Sequence, residues 1–174
     1  GNLGQAHALE PFIEAFDHLN GRVALEIIGT GKRREGLERF TSQQGLTDIV
    51  TFRGVVPRKE IPGILSSSIA SLVPLKQDYH LDYARPTKLL EAMAVGTPYV
   101  ASRLQEIEKI TQEANAGYAV DNESERIAEA IDDLLSDEGL RTEMGERGVE
   151  YIKREHNWSV LGDRVSATLN KFVG

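Results

Sequence analysis

The chain has 174 residues, of which 40% are hydrophobic and 27% charged, with a formal net charge of −7; that suits one globular domain with one substantial core. The acidic balance, with no basic stripe interleaved with aromatics, argues against a nucleic-acid partner, and the absence of cysteine excludes disulfides, thiolate metal sites and cysteine nucleophiles and fits a reducing compartment. No apolar run approaches the roughly 20 residues needed to cross a bilayer, no secretory signal is visible, and an opening on Gly1 rather than Met suggests a piece of a longer chain whose targeting signals lie elsewhere.

Leu9, Phe12, Ile13 and Phe16 recur at helical spacing and make one apolar stripe. Residues 23–28 are short, β-rich and apolar, the pattern of a buried strand. Leu37 and Phe40 point to a second helix before Gly45, and residues 49–52 to a second strand. Pro57 suits the opening of a third helix, which Pro62 is expected to shorten or bend. Another strand is expected at 69–73, followed by a long polar connection over 76–85. Pro86 then opens a helix with Leu89, Leu90, Met93 and Ala94 as its buried face, and Gly96 stops it. Strands at 98–101 and 117–120 come next. Late helices carry Ile127, Ile131, Leu134 and Leu135; then Leu140, Met144, Tyr151 and Ile152; then Leu161, Val165, Leu169 and Phe172.

Strand alternating with helix predicts an α/β domain: a Rossmann-like parallel sheet of five or six strands with helices on both faces, occupying 1–174 as one unit. Right-handed crossovers put ligand loops at the carboxyl ends of such strands. The 76–85 connection follows a strand and is long enough to suggest a functional loop.

Three glycine-containing turns fall where phosphates commonly bind. The first is Gly1-Asn2-Leu3-Gly4, ahead of the first helix but with no visible preceding strand; a ligand loop and a plain turn are both open. The second, Gly29-Thr30-Gly31-Lys32, follows a strand. Arg34 occupies the place of the third glycine of a dinucleotide fingerprint, which disfavours an NAD-binding domain, and the spacing is not that of a Walker loop; a structural turn is the simpler account. The third is Arg85-Pro86-Thr87-Lys88-Leu89-Leu90-Glu91. With Pro86 as first helical residue, the amides of Thr87, Lys88 and Leu89 would be unpaired, and Lys88 would add a full charge to an anion-attracting helix start. Lys88 and Glu91 share a face. A nucleotide would suit that pair, with amides and ammonium on the diphosphate and the carboxylate on ribose hydroxyls; from spacing alone a surface ion pair on an ordinary helix is the simpler account.

Other candidates fall away. His7, His18, His80 and His156 form no metal-ligand spacing, and no Asp-x-Asp is present to hold a metal–diphosphate. Trp158 reads as a packing anchor, and the acidic stretches 123–129 and 132–138 as solvated helix faces.

Taken in order, Gly1-Asn2-Leu3-Gly4, Ile28-Gly29-Thr30-Gly31, Phe52-Arg53-Gly54-Val55-Val56 and Pro86-Thr87-Lys88-Leu89-Leu90-Glu91-Ala92-Met93-Ala94-Val95-Gly96-Thr97-Pro98 resemble the C-terminal domain of family 4 glycosyltransferases. Arg141-Thr142-Glu143-Met144-Gly145-Glu146-Arg147-Gly148 and the Trp158 region extend the resemblance over nearly the whole chain, and the Pro86 to Pro98 stretch is its most specific part. The resemblance implies one half of a GT-B architecture, in which an N-terminal domain takes the acceptor and the C-terminal domain holds the nucleotide sugar. It implies retaining transfer from a UDP- or GDP-sugar to a glycan or lipid-linked acceptor, with no cofactor and no required metal, and hence an isolated domain that is inactive alone. A cytoplasmic protein at the inner face of the membrane, working in polysaccharide biosynthesis, would fit. By the same resemblance Glu91 is the second Glu of the family's E-x7-E motif and grips the donor ribose. Gly1, Asn2, Gly4 and the start of the Pro86 helix face the diphosphate, joined by Arg85, while Arg53, Gly54 and Val55 lie near the base; Gly29 and Gly31 count among the donor-binding residues.

Two positions depart from the family pattern. Tyr83 stands where the first Glu of E-x7-E would lie near the donor sugar, with Asp82 one residue out of register. Where many members carry an Arg and a Lys in the first loop, this chain has Asn2 and His7, so Lys88 would carry more of the charge. The rivals to a transferase are a nucleotide-sugar-binding module without catalysis, which Tyr83 favours, and a GT-B-like epimerase acting on the nucleotide sugar itself.

Overall fold

The computed structural model describes residues 1–77, 81, 83 and 86–157. The helix expected at 161–172, Trp158, His80, Asp82 and Arg85 lie outside those residues. Among those described, the order is α1 (Leu9–His18), β1 (Leu25–Ile28), α2 (Arg34–Gln43), β2 (Val50–Gly54), a 3₁₀ turn (Arg58–Glu60), α3 (Ile61–Ser66), β3 (Ser71–Val73), α4 (Thr87–Ala94), β4 (Tyr99–Ser102), α5 (Gln105–Ala114), β5 (Gly117–Val120), α6 (Ser124–Ser136) and α7 (Glu138–Glu155). Every strand pairing is parallel. This is the expected α/β alternation of parallel strands and helices. Among the described residues the five strands pair in two groups, β1 with β2, and β3, β4 and β5 in that order.

The strands are short, and β4, the middle of its group, is buried at all four residues. Tyr99 is its anchor. It is 0% exposed, its hydroxyl bonds the Thr111 hydroxyl of α5 at 2.9 Å, and burial pushes its pKa up to about 12. On one side of this strand Leu89 and Met93 of α4, Ile107 and Ile110 of α5 and Tyr151 of α7 pack together. On the other side Phe12 and Phe16 of α1 meet Ile127, Ile131 and Leu134 of α6, with Val100 beneath. The second edge of the α1 stripe, Leu9 and Ile13, packs on Ile27, Leu37 and Val50. Helix α1 therefore ties the two strand groups into one body. Each such side chain removed from water contributes roughly 1.5–3 kcal/mol.

Three local details differ from the sequence expectations. Pro62 sits in the first turn of α3 and opens it, because the amide it lacks has no helical partner there. The face that α4 buries uses Ala92 where Ala94 was expected; Ala94 is exposed. Helix α5 was not anticipated, though Leu104, Ile107 and Ile110 are all buried at helical spacing. The expected stop at Gly96 is present: α4 ends at Ala94 and Gly96 takes a φ of +76°, open to glycine at little cost.

Candidate functional site

Helix α1 enters through the turn that holds Gly1, Asn2 and Gly4. Asn2 makes a parallel bridge with Thr30, with the Leu3 amide donating to the Thr30 carbonyl at 2.9 Å and the Thr30 amide to the Gly1 carbonyl at 3.2 Å. The amino group of Gly1 donates to the Ile28 carbonyl. This seats the first turn directly on the loop after β1. Gly29 makes the contact possible. Its φ is +133°, and a β-carbon there would fall 1.8 Å from the Gly1 carbonyl oxygen. Gly31 lies against Asn2 and Leu3, and Asn2 in turn lies against Gly4. The Gly29 amide donates to the Gly54 carbonyl at 2.7 Å, which brings the end of β2 alongside.

The start of α4 closes on the same turn. A β-carbon on Gly1 would meet Lys88 Cε at 2.6 Å and Nζ at 3.3 Å, so the ammonium lies beside the first residue. Gly1, Asn2, His7, Thr87, Lys88 and Glu91 share one cavity of about 750 Å³, which continues downward between β1 and β3. Pro86 is the residue before the helix, and its carbonyl accepts the Leu89 amide at 3.1 Å. That corrects two expectations. The Leu89 amide is used inside the first turn, and its side chain is fully buried in the core, so Leu89 supports the site without facing it. Among the described residues no partner bonds the amides of Thr87 or Lys88.

The remaining sequence candidates lie apart. Arg53 pairs with Glu26 at 3.3 Å, and Val55, 73% exposed, follows β2; neither lines the cavity. Tyr83 is 80% exposed. Asp82 and Arg85 lie outside the described residues. Among the described residues no three His, Asp or Glu side chains gather as a metal site would require, and no helix is long and apolar enough to cross a membrane.

The structure adds two groups that pattern reading did not weigh as site builders. Arg33 follows the Gly29–Gly31 loop, pairs with Glu10 of α1, and donates to the His7 carbonyl at 2.6 Å. It clamps the entrance of α1 to the loop after β1. The only sequence signal for it was a cation just beyond a glycine turn. His7 lines the cavity with Lys88. Burial, and then the Lys88 charge, hold its imidazole below the usual range; Arg33 adds to the lowering, while hydrogen bonding with the Gly4 backbone opposes it. The unfolded chain therefore takes up this proton before the folded one. Stability owed to neutral His7 is complete above the ordinary histidine value of about 6.5 and is lost as pH falls below it toward the depressed folded value. The melting temperature is expected to fall between about pH 7.5 and pH 5.5 more steeply in the native protein than in His7→Gln; equal slopes would contradict the assignment.

Residues 1–151 match the profile of a family described as glycosyl transferases group 1. The chain is 28% identical over 170 residues to an alpha-D-kanosaminyltransferase of Streptomyces kanamyceticus, covering 95% of this chain and 43% of that protein. It is 29% identical over 146 residues to a GDP-mannose-dependent alpha-(1-6)-phosphatidylinositol monomannoside mannosyltransferase of Mycobacterium tuberculosis, covering 82% and 38%. The chain thus spans less than half the length of these relatives. Among solved structures, sucrose-phosphate synthase from Thermosynechococcus elongatus superposes with a TM-score of 0.83 at 21% identity, over 99% of this chain and 44% of the other. Anabaena HepE in complex with UDP does so with a TM-score of 0.82 at 16% identity, over 98% and 47%. Both likenesses show the fold: a Rossmann-like domain of the GT-B kind.

Proposed function

The chain belongs to the glycosyl transferases group 1, and from that premise we propose that it is the nucleotide-sugar-binding domain of a retaining, metal-independent transferase. The donor is a UDP- or GDP-sugar, and the acceptor a glycan or lipid-linked sugar held by a separate N-terminal domain. One observation carries the reading: the first glycine turn, the loop after β1 and the start of α4 meet at one cavity mouth, with Lys88 beside Gly1 and Glu91 on the same helix. The names of relatives support the donor class, since one is GDP-mannose-dependent and another structure holds UDP. The first of those names carries a lipid-linked acceptor, which supports that acceptor class; in this reading the full-length protein works in the cytoplasm, at the inner face of the membrane.

In this reading the diphosphate sits at the α4 start, against Lys88 and the amides of Thr87 and Lys88. A helix start acts as roughly half a positive charge, and the lysine adds a whole one. Charge that develops on the leaving diphosphate is stabilised by groups already oriented toward it. Glu91, one turn into α4, accepts hydrogen bonds from the ribose diol. The base would then extend beyond the cavity toward Arg53, Gly54 and Val55 at the end of β2, which do not line it. Tyr83, exposed where the family places a carboxylate, favours a second reading: a module that binds the nucleotide sugar and no longer transfers it.

Two measurements test this. Glu91→Ala is expected to weaken nucleotide binding by about tenfold or more, since each charge-assisted bond contributes roughly 1.5–3 kcal/mol. Because Glu91 is exposed, the melting temperature should stay put; unchanged affinity in calorimetry would remove Glu91 from the site. The 174 residues alone are expected to bind donor and transfer nothing, whereas the full-length protein transfers. Binding without transfer by the full-length protein would favour the module, and sugar transfer by the 174 residues alone would contradict the two-domain reading.

A further inference from the structure

At the carboxyl ends of β3, β4 and β5, three residues close a ring of hydrogen bonds. Leu75 is buried and lies two residues beyond β3, where the strand ladder no longer serves its backbone. Buried main-chain groups need partners, and side chains from the other two strand ends supply them. The Leu75 amide donates to the Ser102 hydroxyl at 2.8 Å, and that hydroxyl donates to Asn122 Oδ1 at 2.7 Å. Asn122 Nδ2 then donates to the Leu75 carbonyl at 2.8 Å. Ser102, the last residue of β4, is fully buried. The orientation of the Asn122 amide is forced: a carbonyl only accepts, so the nitrogen faces Leu75 and the oxygen is left for the hydroxyl. An amide of this length serves Ser102 and Leu75 at once, whereas a carboxylate or an aliphatic chain serves at most one.

The ring reaches the candidate site through the main chain. The Leu75 carbonyl shares its peptide unit with the Lys76 amide, which points to the opposite side of the planar trans bond and donates to the Ala6 carbonyl at 3.0 Å. The Ala6 carbonyl shares its own peptide unit with the His7 amide, which donates to the Gly4 carbonyl at 3.3 Å. Two rigid peptide planes in series therefore run from Asn122 to Gly4, and hydrogen bonds in such a chain polarise one another. At the far end stand Gly4, packed on Asn2, and His7, which lines the cavity with Lys88. Neither Ser102 nor Asn122 lines that cavity. We propose that Asn122, oriented by Ser102, is a positioning residue for donor binding: through the Leu75–Lys76 peptide it sets the segment from Gly4 to His7 against the start of α4. This role rests on the nucleotide-sugar reading above.

Amide hydrogen exchange and calorimetric titration of the full-length protein test this, with a UDP-sugar and a GDP-sugar as probes. Asn122→Asp keeps the shape and still accepts from Ser102, but has no N–H for the Leu75 carbonyl. It is expected to speed exchange of the Lys76 and His7 amides by roughly tenfold or more. The amides of Ser71 and Leu25, bonded to Pro98 and Ile49, should hold their rates. Affinity for whichever sugar nucleotide the native protein binds is expected to fall by about tenfold. Thr41→Val is the control for a merely structural loss. Thr41 is buried, and its hydroxyl donates to the Leu37 carbonyl at 2.8 Å within α2; its removal should lower the melting temperature and leave affinity unchanged. Undiminished affinity in Asn122→Asp would overturn the positioning role and leave the nucleotide-sugar reading standing. Unchanged exchange at Lys76 and His7, or an equal loss of affinity in Thr41→Val, would overturn it too. A native protein that binds neither sugar nucleotide would instead overturn the reading beneath, and the role with it.

Discussion

Replacing Lys88 by alanine is expected to weaken binding of a nucleoside diphosphate sugar by roughly 10- to 100-fold, since a hydrogen bond to a charged group contributes about 1.5–3 kcal/mol and each 1.4 kcal/mol is about tenfold. The expectation rests on where the ammonium lies. It is beside Gly1, at the mouth of the cavity and in the first turn of α4. There its charge adds to the partial charge of the helix start. His7, which lines the cavity with Lys88, is held toward its neutral form, Arg33 is engaged with Glu10 and the His7 carbonyl, and Arg58 lines the cavity from the 3₁₀ turn after β2. Among the described residues Lys88 is the cation placed beside Gly1 in the first turn of α4. Binding should fall as salt rises, because part of the attraction is screened Coulomb energy, and should be indifferent to EDTA. Calorimetry of the native protein and Lys88→Ala, with EDTA and with added Mn²⁺, checks this. Binding that needs Mn²⁺ and ignores the substitution would show the account of the diphosphate to be wrong.

Gly29→Ala is expected to be the most damaging single-methyl change at the site. The new carbon would fall 1.8 Å from the Gly1 carbonyl oxygen and 2.4 Å from the Gly1 nitrogen, both backbone atoms, at a φ of +133°. A side chain could swing away, but here two main-chain segments must separate, and the backbone strain alone is about 1–3 kcal/mol. A total near 3 kcal/mol would lower the melting temperature by roughly 6–12 °C in a domain of this size. Separation also moves the Gly1–Gly4 turn away from Lys88, so donor affinity should fall with it. Gly36→Ala is the control. It lies within α2, where an added carbon meets only the end of Arg39 at 4.0 Å, and alanine there should stabilise by about 0.4–1 kcal/mol. Thermal melts of the two variants should move in opposite directions; equal shifts would contradict the close approach at Gly29.

Much of this fold is legible in the sequence because burial imposes a pattern. Leu9, Phe12, Ile13 and Phe16 announce α1 by spacing, and the run that ends at Ile28 announces β1 by its density of apolar residues. What escaped has physical reasons. Helix α5 buries only two large side chains, Ile107 and Ile110, with Ala114, a thinner stripe than the four large residues of α1. The grouping of β1 with β2 and of β3 with β4 and β5 cannot be read from any one strand, since an apolar run names no partner. The site was legible as motifs rather than as a place. Gly1, Gly29 and Lys88 are far apart in sequence, and only the fold shows them touching. With Pro86 as first helical residue the Leu89 amide would be free for a donor; as the residue before the helix, Pro86 instead turns its carbonyl to that amide. Arg33 carries no motif, because its role, holding Glu10 and the His7 carbonyl together, is made entirely of partners from another element.

The central claim is that a nucleotide sugar binds where the first turn meets the start of α4. It is tested most directly by following backbone amide resonances of the protein while a UDP-sugar and then a GDP-sugar are added in the presence of EDTA. One of the two is expected to cause saturable shifts at Asn2, Leu3, Gly29, Thr87 and Lys88, with Gly54 and Val55 following if the base lies beyond β2, and Glu91→Ala should weaken the titration. Shifts gathered instead in the polar groove of Lys32, Arg39 and Gln43 along α2, or no saturable shift with either sugar nucleotide, would contradict the claim.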